Sequence, residues 1–186
     1  ELQAEARRLG WDARFVGTGQ AGILIAGTGV ALDAVRVDYA AGAVEAAVLQ
    51  AAAGAGAEAL VLVEGQGSLC HPGSTATLPL LRGSQPTDLL LVHRAGQALV
   101  RNRPGAAPVA VPPLPELIAA VEALAALGRP DGLRPRVRAV ALNTAKLEAS
   151  EAEAATAATA AATGLPCADP VRQGAALLLE ALLADG

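Results

Sequence analysis

The sequence predicts an α/β protein with a mostly parallel sheet and helices on both faces. Three observations predict it. Short apolar runs at residues 12–16, 59–63, 89–93 and 137–142 alternate with helical stretches at 38–53, 117–127, 151–162 and 171–184, the order that gives parallel βα units. The run at 59–63 is apolar throughout, as a strand covered on both faces should be. Polar, glycine-bearing segments follow the carboxyl ends of these runs, where ligands bind in such sheets.

The elements follow in order. Residues 1–10 read as the last turns of an amphipathic helix closed by Gly10. Glu1 is no initiator methionine, so a preceding segment is expected. After the strand at 12–16 come Gly17-Thr18-Gly19-Gln20, an apolar stretch to Ala26 and a second Gly-Thr-Gly at 27–29. A short strand is expected at 35–37. Asp38 suits the start of the next helix, which Gly54 and Gly56 end. The strand at 59–63 opens into Glu64-Gly65-Gln66-Gly67-Ser68 and a polar loop with His71-Pro72. A short helix at 78–81 and the strand at 89–93 follow, then an irregular, proline-rich stretch at 101–115. The strand at 137–142 ends in Asn143-Thr144. A strand stub at 166–168 precedes the closing helix at 171–184, with Asp169 as its cap and Pro170 at its first position.

The chain has 186 residues, enough for one domain, and is 53% hydrophobic but only 2% aromatic, so its core is Leu, Val, Ile and Ala. Net charge is −4 with no basic block, which argues against a nucleic-acid partner. The longest apolar stretch, 40–63, is broken by Glu45, Glu58 and glycines, so no membrane span is expected. With no signal peptide and two unpatterned cysteines, Cys70 and Cys167, a cytoplasmic setting is expected.

A carboxylate directly after a buried strand is costly unless used. Glu64 can hold a metal ion or orient a nucleophile, with Gly65, Gly67 and Ser68 offering backbone N–H groups to an anion; it can also be a solvated residue in a tight turn. Asp38 and Glu45, seven apart, share a helical face with Gly42 near it. They form part of a site, or else a cap and a surface charge. Thr18, Gly19 and Gln20 form either an anion cradle or a plain turn. His71 suits general acid–base work or is a loop residue without a role. Asn143 and Arg172 are candidates for recognising a base or a carboxylate. Two Cys and two His without ligand spacing make no zinc site, and Cys70 beside His71 makes no catalytic pair.

Taken in order, the segments at 15–30, 37–45, 63–72 (Val-Glu-Gly-Gln-Gly-Ser-Leu-Cys-His-Pro), 83–86 (Gly-Ser-Gln-Pro), 142–144 and 169–174 (Asp-Pro-Val-Arg-Gln-Gly) resemble the C-terminal domain of the D-glutamate N-acetyltransferase-like family. The resemblance covers nearly the whole chain. It implies a P-loop NTPase-like fold related to dethiobiotin synthetase, an upstream Rossmann-like domain, and acetyl transfer from acetyl-CoA to the amine of D-glutamate. On that reading Glu64 or His71 is the base, with Glu64 raised in pKa by desolvation and the N–H groups of residues 65–68 stabilising the oxyanion. Thr18, Gly19, Gln20, Gly65, Gly67, Ser68 and Asn143 contact the cofactor, and Asp38, Glu45 and Arg172 the amino acid. ATP with magnesium, held by Glu64 and Asp38, is the alternative; a non-catalytic nucleotide-binding module is a third reading. No Gly-x-x-x-x-Gly-Lys-Ser/Thr is present and Lys146 stands outside such a context. The chain is therefore expected to be a segment of a longer protein, inactive alone. Assembly into a homo-oligomer stays open.

Overall fold

A computed structural model describes residues 1–100 and 105–184. The chain runs α1 (Leu2–Arg8), β1 (Ala13–Val16), α2 (Gln20–Ala26), a 3₁₀ turn (Leu32–Ala34), α3 (Val37–Ala52), β2 (Leu60–Val63), α4 (Thr77–Ser84), β3 (Asp88–Arg94), β4 (Leu99–Val100), β5 (Val109–Ala110), α5 (Leu114–Ala126), β6 (Arg136–Asn143), α6 (Ala149–Thr163), β7 (Cys167–Ala168) and α7 (Ala176–Leu183).

The expected α/β class is present, with parallel pairing in both principal sheets. β1 pairs parallel with β2, from Ala13 opposite Leu60 to Val16 opposite Val63. β6 lies between β3 and β7, parallel to both. β4 and β5 form a small antiparallel hairpin inside the stretch expected to be irregular; residues 101–104 of that stretch lie outside the described residues.

Helices cover both faces because the strands alternate side chains between them. On β6, Ala139 and Ala141 meet Leu178 of α7, while Val140 and Leu142 face Ala155 and Ala160 of α6. On β2, Leu60 packs towards Ala6 of α1 and Leu179 of α7, and Val63 towards Val44 of α3 and Leu80 of α4. The adjacent residues Leu178 and Leu179 thus tie α7 to both sheets. Asp88 on β3 and Arg138 on β6 pair at 2.5 Å.

Several expectations are corrected. The strands at 12–16, 59–63 and 137–142 do not share one sheet: β1 and β2 form one hydrogen-bonded pair, and β6 belongs to another sheet. β2 is only partly buried along its length, because a strand paired on one edge only is less covered than one inside a sheet. The strand expected at 35–37 is absent; the 3₁₀ turn leads straight into α3, whose cap is Arg36, with Asp38 inside the first turn. α7 begins at Ala176, not at Val171, because Asp169 closes a turn over residues 170–173 instead of capping the helix.

Gly83 sets how closely α4 approaches α3. A Cβ there would collide with the carbonyl oxygen of Ala41 and lie 2.7 Å from Val44 Cβ. Gly83→Ala is expected to destabilise the fold by about 2 kcal/mol, the usual range for overpacking, measured by chemical denaturation. A change below about 0.5 kcal/mol, the level of an ordinary surface substitution, would show that the helices separate freely.

Candidate functional site

The chain leaves β1 through Gly17 and Thr18, makes α2, and returns. Val30 N–H donates to Gly17 O (2.8 Å) and Leu32 N–H to Thr18 O (3.1 Å). Gly29 adopts φ +141°, and a side chain there would strike Gly17 O, so the second Gly-Thr-Gly permits this return. It brings Asp33 back beside the loop that leaves β2.

Glu64 clasps the two loops together. Its Oε2 accepts Thr18 N–H (2.7 Å) and Gly19 N–H (2.9 Å), while Thr18 Oγ1 donates to Glu64 O (2.9 Å). Thr18 is fully buried. The carboxylate also sits directly over Gly22, where a Cβ would lie 2.5 Å from Glu64 Cδ. The Thr18 and Gly19 N–H groups expected to cradle a ligand anion are therefore taken by a side chain of the protein itself. Gln20 Nε2 donates to Asp33 Oδ2 (3.2 Å).

Past Glu64, the N–H groups of Gly65, Gln66 and Gly67 have no acceptor among the described residues. Gly67 has φ +77°, and a Cβ there would run into Ser74 Oγ, which accepts Ser68 N–H at 3.2 Å. Successive N–H groups that end in a left-handed residue form an anion-binding concavity. Gln66 and Gly67, though not Gly65, border a cavity of about 380 Å³, lined also by Asp33, Val35, Ser68, His71 and Ser74. Gln66 Oε1 is buried over Gly19, 3.0 Å from where a Cβ there would stand, without a hydrogen-bond partner among the described residues. His71 Nδ1 accepts Gly73 N–H (3.1 Å). A backbone N–H can only donate, so Nδ1 is the acceptor of this pair and Nε2 carries the proton of the neutral ring.

Neither Glu64, Asp38 nor Glu45 lines this cavity. From α3 it takes Val37 and Ala40. The helix turns Ala40 and Val44 inward, which leaves Asp38 and Glu45 exposed, and Gly42 faces open space. The carboxylate cluster expected around Glu64 is thus not assembled. Asp33 was missed; its signal was its place just after the second Gly-Thr-Gly, whose return had to end somewhere near the first.

A second polar cluster lies at the carboxyl ends of β6 and β7. Asp169, 4% exposed, accepts the N–H and hydroxyl of Thr144 with Oδ2, and the N–H groups of Val171 (2.9 Å) and Arg172 (3.3 Å) with Oδ1. Its pKa is below the ordinary value. Burial pushes it up, but the Thr144 hydroxyl and then the three N–H groups more than reverse that. Arg172, expected to hold a substrate carboxylate, donates to Leu147 O (2.7 Å) and Thr144 O (3.4 Å) and so braces the loop after β6. Asn143 Oδ1 accepts Ala145 N–H (3.0 Å). Burial pushes the half-buried His93 imidazole down and the Cys167 thiol up, which keeps both neutral. Among the described residues no helix is long and apolar enough to cross a membrane.

Residues 1–179 match the family model described as "Domain of unknown function (DUF1611_C) P-loop domain". The chain is 36% identical over 184 residues to a D-glutamate N-acetyltransferase of Tritonibacter scottomollicae, covering 98% of this chain and 52% of that protein. It is 34% identical over 164 residues to a D-glutamate N-acetyltransferase of a Pseudoalteromonas species, covering 88% of this chain and 46% of that protein. A crystal structure of a DUF1611 family protein from Anabaena variabilis has the same fold, with a TM-score of 0.90 at 51% identity over 99% of this chain and 52% of that one. The chain thus spans about half the length of these relatives.

Proposed function

The chain belongs to the DUF1611 C-terminal P-loop domain family, and on that premise we propose that it forms part of an acetyl-CoA-dependent N-acetyltransferase acting on an amino acid, D-glutamate being the substrate in the names of the two relatives. The observation that carries this reading is the run of N–H groups at Gln66 and Gly67, without acceptors among the described residues, beside a cavity lined with both acceptors and donors.

Acetyl-CoA, when bound, supplies an activated acyl carbonyl. Acyl transfer places negative charge on that oxygen, and backbone N–H groups fixed in advance are suited to receive it. Glu64 holds the start of this run against the Thr18–Gly19 loop, so the donors need no rearrangement. The substrate amine must give up a proton before it attacks. Glu64 Oε1 and, after a change of tautomer, His71 are the groups proposed to take it. Asn143 keeps its side-chain NH₂ for a ligand acceptor, the role in cofactor contact proposed for it.

Gly67→Ala forces a side chain into a left-handed conformation and against Ser74. It is expected to lower turnover on the order of a hundredfold, the usual cost of a lost oxyanion donor, with the KM for the amino acid changing less than kcat.

The experiment is release of free thiol from acetyl-CoA by the full-length protein, with and without D-glutamate. Thiol release that depends on the amino acid, matched by N-acetylated product, is the expected result. The P-loop description of the family also favours a second reading, an ATP- and magnesium-dependent ligase. Magnesium-dependent ATP cleavage driven by the amino acid, without thiol release, would establish that reading instead.

A further inference from the structure

We infer that the apolar part of the cavity is an acyl pocket that takes chains longer than acetyl, an assignment that rests on the N-acetyltransferase reading and names the class of donor. The cavity lining divides into two groups. Leu32, Val35, Ala40 and Ala76 form the first, and all four belong to one apolar cluster with Val44 and Leu80. The second comes from the loop between β2 and α4, chiefly residues 66–68 and 73–75. It includes the Gln66 and Gly67 N–H groups, which have no acceptor among the described residues.

The apolar group is a poor match for D-glutamate, whose two methylenes lie between charged groups that lose hydration against it. It matches the part of an acyl donor beyond the carbonyl, which is hydrocarbon alone. In the transfer a C–N bond forms at the carbonyl carbon as the C–S bond breaks. The bonding pair leaves with the sulfur, and the proton shed by the amine ends on the thiolate. The carbonyl oxygen, where charge gathers, is held by the Gln66 and Gly67 N–H groups. The sulfur leads out to the rest of the donor, so the acyl chain turns inward to the apolar group.

Small residues keep that space open. Val37, Ala40 and Val44 share one face of α3, and alanine stands at the position between the two valines. Leu32 and Ala40 line the cavity yet are only 7% and 5% exposed, so little water lies against them. An apolar recess of this kind takes an apolar guest, and the single methyl of an acetyl group covers only part of it. At about 380 Å³ the cavity is near the small end of ligand pockets, which suits the acyl end of the donor and not its nucleotide.

The test is calorimetry on the full-length protein with CoA, acetyl-CoA and butyryl-CoA, without amino acid so that nothing turns over. Butyryl-CoA is expected to bind on the order of tenfold more tightly than acetyl-CoA, from about fourfold for each additional buried methylene. Ala40→Leu fills the recess and is expected to abolish that preference. Ala76→Val, at the residue before α4, is expected to reduce it too and decides the matter if Ala40→Leu does not fold. A preference for butyryl-CoA that is absent from the wild type, or that survives unchanged in the folded variants, overturns the inference. If the protein acetylates D-glutamate but binds both thioesters alike, the inference alone falls. If it binds no CoA thioester and transfers no acyl group, the N-acetyltransferase reading falls and takes the inference with it.

Discussion

Asp169→Ala is expected to lower the unfolding free energy by about 3 to 4 kcal/mol, the range for breaking a buried hydrogen-bond network. Four donors lose their acceptor at once: the Thr144 N–H and hydroxyl, and the N–H groups of Val171 and Arg172. Thr144 is 1% exposed, so water cannot take over its bonds without opening the ends of β6 and β7. In a protein of this size that amounts to a fall in Tm on the order of 10 °C. The pH dependence follows from the depressed folded pKa of Asp169. The unfolded carboxyl binds a proton more readily than the folded one. The stability that Asp169 contributes is therefore complete above the ordinary carboxylate value of about 4 and is lost as pH falls through the folded value. Urea denaturation of the wild type and Asp169→Asn between pH 2 and 7 checks this. The gap between them should be widest near neutrality and close in acid. A gap that is constant with pH would mean that the charge of Asp169 contributes nothing.

The second large effect is at Glu64. Glu64→Ala leaves the Thr18 and Gly19 N–H groups without an acceptor and is expected to cost about 3 kcal/mol, since charge-assisted bonds are roughly twice as strong as neutral ones. Glu64→Gln keeps an oxygen for at least one of these bonds and should cost about 1 kcal/mol. Turnover should nevertheless fall about a hundredfold in Glu64→Gln, whether the residue acts as a base or as the brace that sets the Gly65–Gly67 donors. The pH–rate profile separates the two. Removing a base abolishes the limb that the base causes, whereas removing a brace lowers the whole profile and keeps its shape. Acetylation by Glu64→Gln at close to the wild-type rate would exclude Glu64 from both roles.

Much of the fold was legible because its signals are local. Residues 139–142 of the 137–142 run alternate Ala with Val or Leu on two buried faces, and β6 follows the run to within a residue at each end. The Glu64-Gly-Gln-Gly-Ser segment stood out as a charge after an apolar strand, and its Gln66, Gly67 and Ser68 do border the cavity, although Glu64 does not. The 35–37 stretch misled because Val-Arg-Val has a strand's composition, while the return of Val30 and Leu32 to β1 commits the residues just before it to a 3₁₀ turn. The Asp38–Glu45 pair misled for another reason. A spacing of seven guarantees a shared face but not which way that face turns, and the packing of Ala40 and Val44 turned it outward.

The amino-acid order fixed what depends on near neighbours: the βα alternation, the Leu, Val and Ala core, the glycines at turns, and the Gly-x-Gly segment after β2. Folding in three dimensions settled what depends on distant ones. Thr18 and Glu64 are 46 residues apart and Thr144 and Asp169 are 25 apart, so no local pattern marks either carboxylate as an acceptor for a backbone N–H. The same holds for Asp33, which reaches Gln66 and His71 only after the chain has doubled back past β1. A hydrogen bond acts over about 3 Å, and which groups come that close is decided by the packing of whole elements, to which periodicity and composition along the chain are blind.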